Sequence, residues 1–330
     1  SVEVTGGDGA YVDIDQDQPQ YQYGAYVYNQ YRRSTNGGAN WSSVNFSSSA
    51  GQFINPFDYD DVGNRMYCSY NAGTYLRWED PQTGATFTPV SVTNFNGGAA
   101  MGITVSPFTA NRVYFGTTSG RVVRVDNAEQ ATPTETNLTP AGMAGTVNSI
   151  SVGSSDQFLV ACVSNYGVNN VWVSSDGGTT WTQCDGNLPN IPVYWAVFHP
   201  DNNGKMIIAT ETGVWETESL NAGATIWAPS VNFPTVRTSM LRYRSSDRTL
   251  LASTYGRGLW TAPIPTGCTS AGVITQPVNS AACVAANASF SITATGVSYQ
   301  WQESTNGGGT WNNITNGGIY GGATTTTLTL

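Results

Sequence analysis

The octet SSDGGTTW at residues 174–181 has two close relatives in the same chain, STNGGANW at 34–41 and STNGGGTW at 304–311. Such a recurring stretch can be a catalytic signature, a metal loop, or a structural turn repeated because the fold repeats. The residue types favour the turn. Ser and Asp or Asn side chains accept backbone N–H groups within a tight turn, glycine supplies positive φ, and a terminal tryptophan packs against the hairpin. In the first copy these parts fall to Ser34, Asn36, Gly38 and Trp41; in the second, to Ser174, Asp176, Gly178, Thr180 and Trp181.

Working outward from the octet, a module becomes visible. Residues 149–152, 158–162 and 171–173 are short apolar strands that lead into the second octet. The same succession occurs at 103–107, 113–120 and 122–125, at 195–200, 206–213 and 214–215, and at 240–243, 250–258 and 259–260. Two weaker copies precede these, at 11–15 with 21–26 and at 53–56 with 65–68. The residue closing each first strand is read as Asp15, Asn55, Ser106, Gly153, His199 and Tyr243, giving steps of 40, 51, 47, 46 and 44. Four-stranded units at about 40–50 residues per period are β-propeller blades.

The expected fold class is therefore all-β: a β-propeller over 1–264 with six visible blades. Its last unit has three strands, and residues 1–4 (Ser-Val-Glu-Val) are an orphan strand, so the N-terminal strand is expected to complete the final blade. The alternative is that further blades precede Ser1. A Pro/Gly linker at 265–271 leads to residues 272–330, where alternating strands, the Tyr299-Gln300-Trp301-Gln302 run and a hairpin read as part of an Ig-like β-sandwich with Trp301 in its core. The expected sandwich lacks its later strands at Leu330.

Composition excludes several partners. Thirteen Lys+Arg face 22 Asp+Glu for a net charge of -9, and Lys205 is the sole lysine. No basic patch suits nucleic acid. No segment reaches the roughly 18 apolar residues of a membrane-inserted helix. The five cysteines (Cys68, Cys162, Cys184, Cys268, Cys283) form no C-x-x-C pair, and His199 is the only histidine, which argues against structural zinc. Cys162 and Cys184 fall on the second and fourth strands of one blade, too far apart to bridge, and read as buried thiols.

The octet resembles the Asp-box of BNR-type propellers, a class that includes sialidases, sortilin-like receptors and xyloglucan-degrading hydrolases. Residues 174–181 match its Ser-x-Asp-x-Gly-x-Thr-Trp in full, and residues 34–41 depart from it at Asn36 and Asn40. Gly6-Gly7-Asp8-Gly9, Phe53-Ile54-Asn55-Pro56-Phe57, Thr254-Tyr255-Gly256-Arg257-Gly258-Leu259-Trp260 and the run from Ser298 to Leu330 are similar to large exported surface proteins of Bacteroidetes that use the type IX secretion system. That resemblance implies a peripheral, structural role for the octet. It also implies an extracellular or cell-surface location, and the rest of the polypeptide or the secretion machinery as partners. One departure is that Ile292 and Ala294 stand where an Ig domain usually places its first cysteine.

The residues assign no catalytic or cofactor-binding group. A sialidase needs an arginine cluster, and Arg237, Arg242, Arg244 and Arg257 lack its opening context, although Arg242 and Arg244 share a strand face. A glycosidase needs two carboxylates across a cleft, and Asp8, Asp13, Asp15, Glu211 and Asp247 show no identifying spacing. Asp13, Asp15 and Asp17 alternate like a calcium loop, but Gln18 replaces the glycine at position six and no glutamate follows at twelve, so calcium is a weak candidate and no cofactor is expected. His199 has no nucleophile motif beside it. The expected function is a secreted, non-catalytic binding or adhesion scaffold that recognises a glycan or a surface protein through aromatic rims. The alternative is a glycoside hydrolase of the xyloglucanase type.

Overall fold

The structure, a computed structural model, describes residues 8–266, 272–284, 286–295 and 298–330. The chain divides into two units, Ser1–Ile264 and Pro265–Leu330.

In the first unit each repeat is an antiparallel sheet whose strands pair in chain order. Blade 1 holds β1 (Val12–Ile14), β2 (Gln22–Ala25), β3 (Asn29–Ser34) and β4 (Ser42–Ser47). Blade 2 holds β5 (Phe57–Asp60), β6 (Arg65–Ser69), β7 (Thr74–Trp78) and β8 (Phe87–Ser91). Blade 3 holds β9 (Ala100–Val105), β10 (Val113–Thr117), β11 (Val122–Asp126) and β12 (Thr134–Asn137). Blade 4 holds β13 (Val147–Val152), β14 (Leu159–Val163), β15 (Val171–Ser174) and β16 (Thr182–Gln183). Blade 5 holds β17 (Val193–His199), β18 (Asn202–Thr210), β19 (Gly213–Thr217) and β20 (Ala228–Pro229). Blade 6 holds β21 (Thr238–Arg244), β22 (Thr249–Thr254) and β23 (Gly258–Pro263).

The first strand of each blade touches the first strand of the next, from β1 to β5 and on to β21, so these six line the axis. The ring closes where Arg242 on β21 reaches Asp13 on β1 and Asp58 on β5. Tyr11 closes it too, packing with Trp195, Leu241 and Ile264 of blades 5 and 6. The chain thus folds as a six-bladed β-propeller. The expected closing strand at 1–4 lies outside the described residues, and β23 is exposed along its length.

The core is a set of layers between blades. Tyr23, Tyr31, Phe57, Tyr59 and Trp78 fill the gap between blades 1 and 2, and Tyr67, Tyr75, Phe95 and Phe115 the gap between blades 2 and 3. Blades 4 and 5 share Cys162, Cys184, Ile208 and Trp227. The sheets of blades 3 and 4 bury both faces of their second strands, Val113–Thr117 and Leu159–Val163.

Blade 2 corrects the sequence reading. Its first strand is Phe57–Asp60, not 53–56. Asn55 is committed to the preceding link: its Nδ2 donates to Asn29 Oδ1 at 3.1 Å and to Ser69 O at 3.1 Å, and its Oδ1 accepts from Gln52 N at 2.7 Å. Pro56 has no N–H for a ladder. With the strands as observed, the first strands close at Asp15, Asp60, Ser106, Gly153, His199 and Arg244, in steps of 45, 46, 47, 46 and 45. Three of these residues cap the turn that follows. Asp15 Oδ1 accepts from Asp17 N and Gln18 N, Asp60 Oδ1 from Val62 N and Gly63 N, and Ser106 Oγ from Phe108 N and Thr109 N.

The second unit contains β24 (Gly272–Thr275), β25 (Ser289–Ser291), β26 (Thr293–Thr295), β27 (Gln302–Glu303), β28 (Asn312–Asn313) and β29 (Thr327–Thr329). They pair as β24–β26, β25–β29 and β27–β28. Ile314, Ala323 and Leu328 form a small core against which Phe290, Trp301 and Tyr320 pack, and Trp301 Nε1 donates to Thr325 O. No sheet of three or more strands occurs among the described residues of this unit.

One close approach tests the inner ring. A Cβ on Gly102 of β9 would lie 2.9 Å from the Cα of Ser149 on β13, a backbone atom that cannot swing aside. Gly102→Ala is expected to lower stability by about 1–3 kcal/mol, read as a shifted urea midpoint. Gly256→Ala, at an open turn with φ +77°, separates this steric effect from ordinary backbone strain.

Candidate functional site at the propeller axis

The regular repeat places equivalent residues at one height around the axis. Two positions before each closing residue stand Asp13, Asp58, Thr104, Ser151, Val197 and Arg242, one per blade. Most reach the inner strand of the following blade. Asp13 Oδ1 accepts from Ile14 N at 2.9 Å, and its Oδ2 faces the same Arg242 guanidinium as Asp58. Asp58 Oδ2 accepts from Val105 N at 2.8 Å, Thr104 Oγ1 donates to Ile150 O at 2.5 Å, and Ser151 Oγ donates to Ala196 O at 2.6 Å. Val197 packs with Leu241 of blade 6. Arg242 then faces Asp58 at 3.5 Å and Asp13 at 3.8 Å, with its guanidinium 5.5 Å from the centre of the Trp195 ring.

Arg242 lies deep in the protein, yet its side chain keeps 43% of its surface, against 20% for Asp13 and 12% for Asp58. The three therefore border a shaft that is open to solvent. Burial pushes the Asp13 carboxyl up to about 7; the Asp58 charge adds to this and Arg242 opposes it. Burial also raises Asp58, against the pull of Arg242, the Val105 N–H and Asp13. Burial works against the Arg242 charge as well, but Asp58 and Asp13 outweigh it. Two carboxyls that burial raises thus lie beside one cation.

Nearer the start of the inner strands lies a second ring. β9, β13, β17 and β21 each carry a β-bulge against their partner strand at equivalent positions, leaving Met101, Asn148, Tyr194 and Ser239 unpaired. Bulges re-aim side chains, and four at one height shape the mouth of the shaft. Asn148 Nδ2 donates to Tyr194 O at 2.9 Å, and Tyr194 OH donates to Glu211 Oε2 at 2.5 Å. Burial and the Glu211 hydrogen bond push the Tyr194 phenol up to about 12. Arg237 sits over the Tyr194 ring, 4.3 Å from its centre.

Links between blades and turns between second and third strands emerge at this same end, because the strands alternate in direction. They carry many exposed rings. Tyr166 is 62% exposed and Tyr255 75%. Phe53 forms an edge-on pair with Tyr28 at 5.7 Å, and Phe46 with Tyr70 at 5.5 Å. Beside Tyr166 lies a shallow groove of about 340 Å³ walled by Gly167, Asn169, Asn170, Leu188 and Asn190, with one carboxylate, Asp185, which accepts from Asn170 N at 2.6 Å.

The octets lie elsewhere, in hairpins between third and fourth strands and in the β27–β28 hairpin. Ser174 Oγ donates to Asp176 Oδ1 and accepts from Gly178 N; Asp176 Oδ1 accepts from Thr180 N, its Oδ2 accepts from Thr180 Oγ1, and Trp181 Nε1 donates to Gly178 O. Ser34, Asn36, Gly38, Asn40 and Trp41 repeat this geometry, and Ser304, Asn306, Gly308 and Thr310 repeat its turn. Asn replaces Asp because both offer the Oδ1 acceptor that this turn requires. Gly38, Gly178 and Gly308 have φ of +85°, +88° and +92°.

The structure does not bring Asp13, Asp15 and Asp17 together. Asp13 joins the axial ring, Asp15 is fully buried with Oδ2 accepting from Tyr59 OH and Gln82 Nε2, and Asp17 is exposed. Alternation along a strand had suggested one loop, but the strand ends at Ile14 and the chain turns. No group of three or more acidic, Cys or His residues suited to a metal occurs among the described residues. Arg244 does not share the axis with Arg242: it pairs with Asp247 at 2.6 Å on the surface. His199 Nδ1 accepts from Asp201 N in a turn, and Cys162 and Cys184 are buried free thiols. Sequence reasoning missed Asp58 and the bulges. The corrected repeat would have found Asp58, whereas the bulges appear only with strand register.

No family model and no curated protein matches the chain. Solved structures do. The GH74 xyloglucanase of Xanthomonas campestris is similar at TM-score 0.57 and 14% identity, covering 78% of this chain and 44% of that one. The GH74 enzyme of Niastella koreensis is similar at 0.54 and 17% identity, covering 78% and 43%. YCF48 of Cyanidioschyzon merolae is similar at 0.58 and 14% identity, covering 79% and 83%. The chain spans less than half the length of the two GH74 enzymes. At these identities the likeness shows the β-propeller fold.

Arg242→Met is expected to cost about 2–3 kcal/mol, less than for a fully buried pair because the shaft is open to solvent. In the folded state Asp13 holds its proton to about pH 7, and in the unfolded state only to about pH 4. Its contribution to stability therefore falls as pH rises between those values. Asp13→Asn removes that slope, so its melting temperature is expected to gain on the parent by a few degrees between pH 5 and pH 8. A gap that does not widen counts against a raised Asp13 carboxyl.

Proposed function

We propose that this chain is a non-catalytic binding module of an exported, cell-surface protein, and that a glycan docks on the aromatic end of the propeller. The observation that carries this reading is the gathering of exposed rings at the shaft mouth, chiefly Tyr166 beside its groove and Tyr255. Aromatic faces bury the C–H faces of sugars, and rigid rings lose little entropy in doing so. The Asp13 and Asp58 carboxyls, by contrast, are engaged with Arg242 and with backbone N–H groups.

The octets act as hairpin staples of Asp-box type, and the second unit as an Ig-like spacer toward the rest of a polypeptide resembling type IX-secreted proteins of Bacteroidetes. A surface protein is the other partner such a face would suit. A glycoside hydrolase of the xyloglucanase type is the competing reading, favoured only by fold likeness to such enzymes.

Affinity electrophoresis through a panel of neutral and acidic polysaccharides tests the proposal. Retardation by at least one polymer is expected, with no new reducing ends after prolonged incubation. The double variant Tyr166→Ala, Tyr255→Ala is expected to bind about tenfold more weakly, at roughly 0.5–1.5 kcal/mol per ring. Release of reducing ends would transfer the assignment to the hydrolase.

A further inference from the structure

The cations of the propeller are distributed unevenly. Arg65, Arg77, Arg112, Arg124, Lys205, Arg242, Arg244 and Arg248 all sit in ion pairs, and Arg33 donates to the carbonyls of Pro81 and Gly84. Arg32, Arg121, Arg237 and Arg257 have no carboxylate partner among the described residues. Of these four, Arg121 lies in the β10–β11 turn, Arg237 in the link before β21, and Arg257 in the β22–β23 turn. All three emerge at the aromatic end. In a chain of net charge -9, unpaired arginines collected at one end call for an explanation.

Arg237 and Arg257 are joined by local structure. Tyr255 N donates to Arg237 O at 2.8 Å, and Arg257 follows two residues later in the same exposed turn. Arg237 is held over Tyr194, whose position is fixed by the β17 bulge and by the bonds from Asn148 and to Glu211. Stacking leaves the edge of a guanidinium free, and that edge is a planar fork of N–H donors matched to a carboxylate. Fixing the cation in advance reduces the entropy lost when a ligand binds. Glu211, which shares Tyr194 as a neighbour with Arg237, is engaged by the Tyr194 hydroxyl.

We propose that the aromatic end selects a carboxylate-bearing glycan, a polymer of uronic acid type, with Arg237 and Arg257 taking the carboxylates while Tyr255 and Tyr166 take the rings. This rests on the glycan-binding reading above and narrows it. Glu211 limits affinity for such a ligand by charge repulsion and sets the orientation of Tyr194.

The test titrates the full chain by calorimetry with polygalacturonate, with the same polymer after carboxyl reduction, and with dextran sulfate. Polygalacturonate is expected to bind at least tenfold more tightly than its reduced form, with affinity falling as salt rises. Arg237→Met and Arg257→Ala are each expected to weaken it several-fold at unchanged melting temperature, and Glu211→Gln to strengthen it. Equal binding of the reduced polymer, or weaker binding by Glu211→Gln, overturns the carboxylate assignment and leaves the glycan reading intact. Equal or tighter binding of dextran sulfate overturns it in favour of sulfate. Binding of no polysaccharide in this set or in the wider panel overturns both readings together.

Discussion

A ring built from repeated sheets must solve one problem at its axis: the innermost strands converge, and each needs a reason to face its neighbour in one register. The side chains two positions before each strand end supply that reason. Asp58, Thr104 and Ser151 each bond to the backbone of the next inner strand, a directional contact that a slip of one residue would remove. The contacts proceed in one rotational sense, and the last position is occupied by the only cation in the ring. Arg242 meets Asp13 and Asp58 of the first two blades, so the charged trio stands where the sixth blade meets the first. The apolar layers between blades provide most of the burial, but they are non-directional. The axial relay adds registration, and the Tyr11 contact with blades 5 and 6 adds apolar area at the same seam.

The same regularity organises the mouth. A bulge at one height in four successive inner strands turns Met101, Asn148, Tyr194 and Ser239 out of the pairing pattern. Because every bulge follows the same step of the repeat, a single local irregularity becomes a ring of presented side chains. Tyr194 shows the consequence, with three neighbours fixing its backbone, hydroxyl and ring face. The opposite end is spent on self-capping: Asp15, Asp60 and Ser106 close their own turns, and Asp247 closes an ion pair with Arg244.

Much of this architecture was legible in the sequence. Apolar strands at a near-constant period require stacked sheets, and the octets mark hairpins because Ser, Asx, Gly and Trp at fixed offsets suit only one turn geometry. The misplaced strand of blade 2 shows where pattern reading runs out. Phe53 and Ile54 followed by Asn55 and Pro56 resemble a strand and its end, but Asn55 bonds across to Asn29 of blade 1, a contact 26 residues distant that no local pattern reveals. Arg242 and Arg244 share a strand face by spacing, yet one lies at the axis and the other is the last strand residue, on the surface beside Asp247. Asp13, Asp15 and Asp17 mislead in the same manner, since a strand end falls among them.

The candidate site was less legible because it is made of exceptions to the pattern. Bulges exist only relative to a partner strand, and an arginine without a partner among the described residues is recognised only after their carboxylates have been placed. Both kinds of fact appear once register and pairing are fixed, and both fall at one end of the propeller. An end that served only to cap blades would gain stability by pairing Arg237 and Arg257, as the other end pairs Arg244 and Arg248. Leaving them unpaired beside exposed rings forgoes that small gain, at most about 1 kcal/mol for each surface pair. A ligand carboxylate meeting two pre-positioned guanidiniums over aromatic surface would recover more than this, since charge-assisted bidentate bonds are about twice as strong as neutral ones. The distribution of unpaired charge, more than the fold, therefore carries the functional argument.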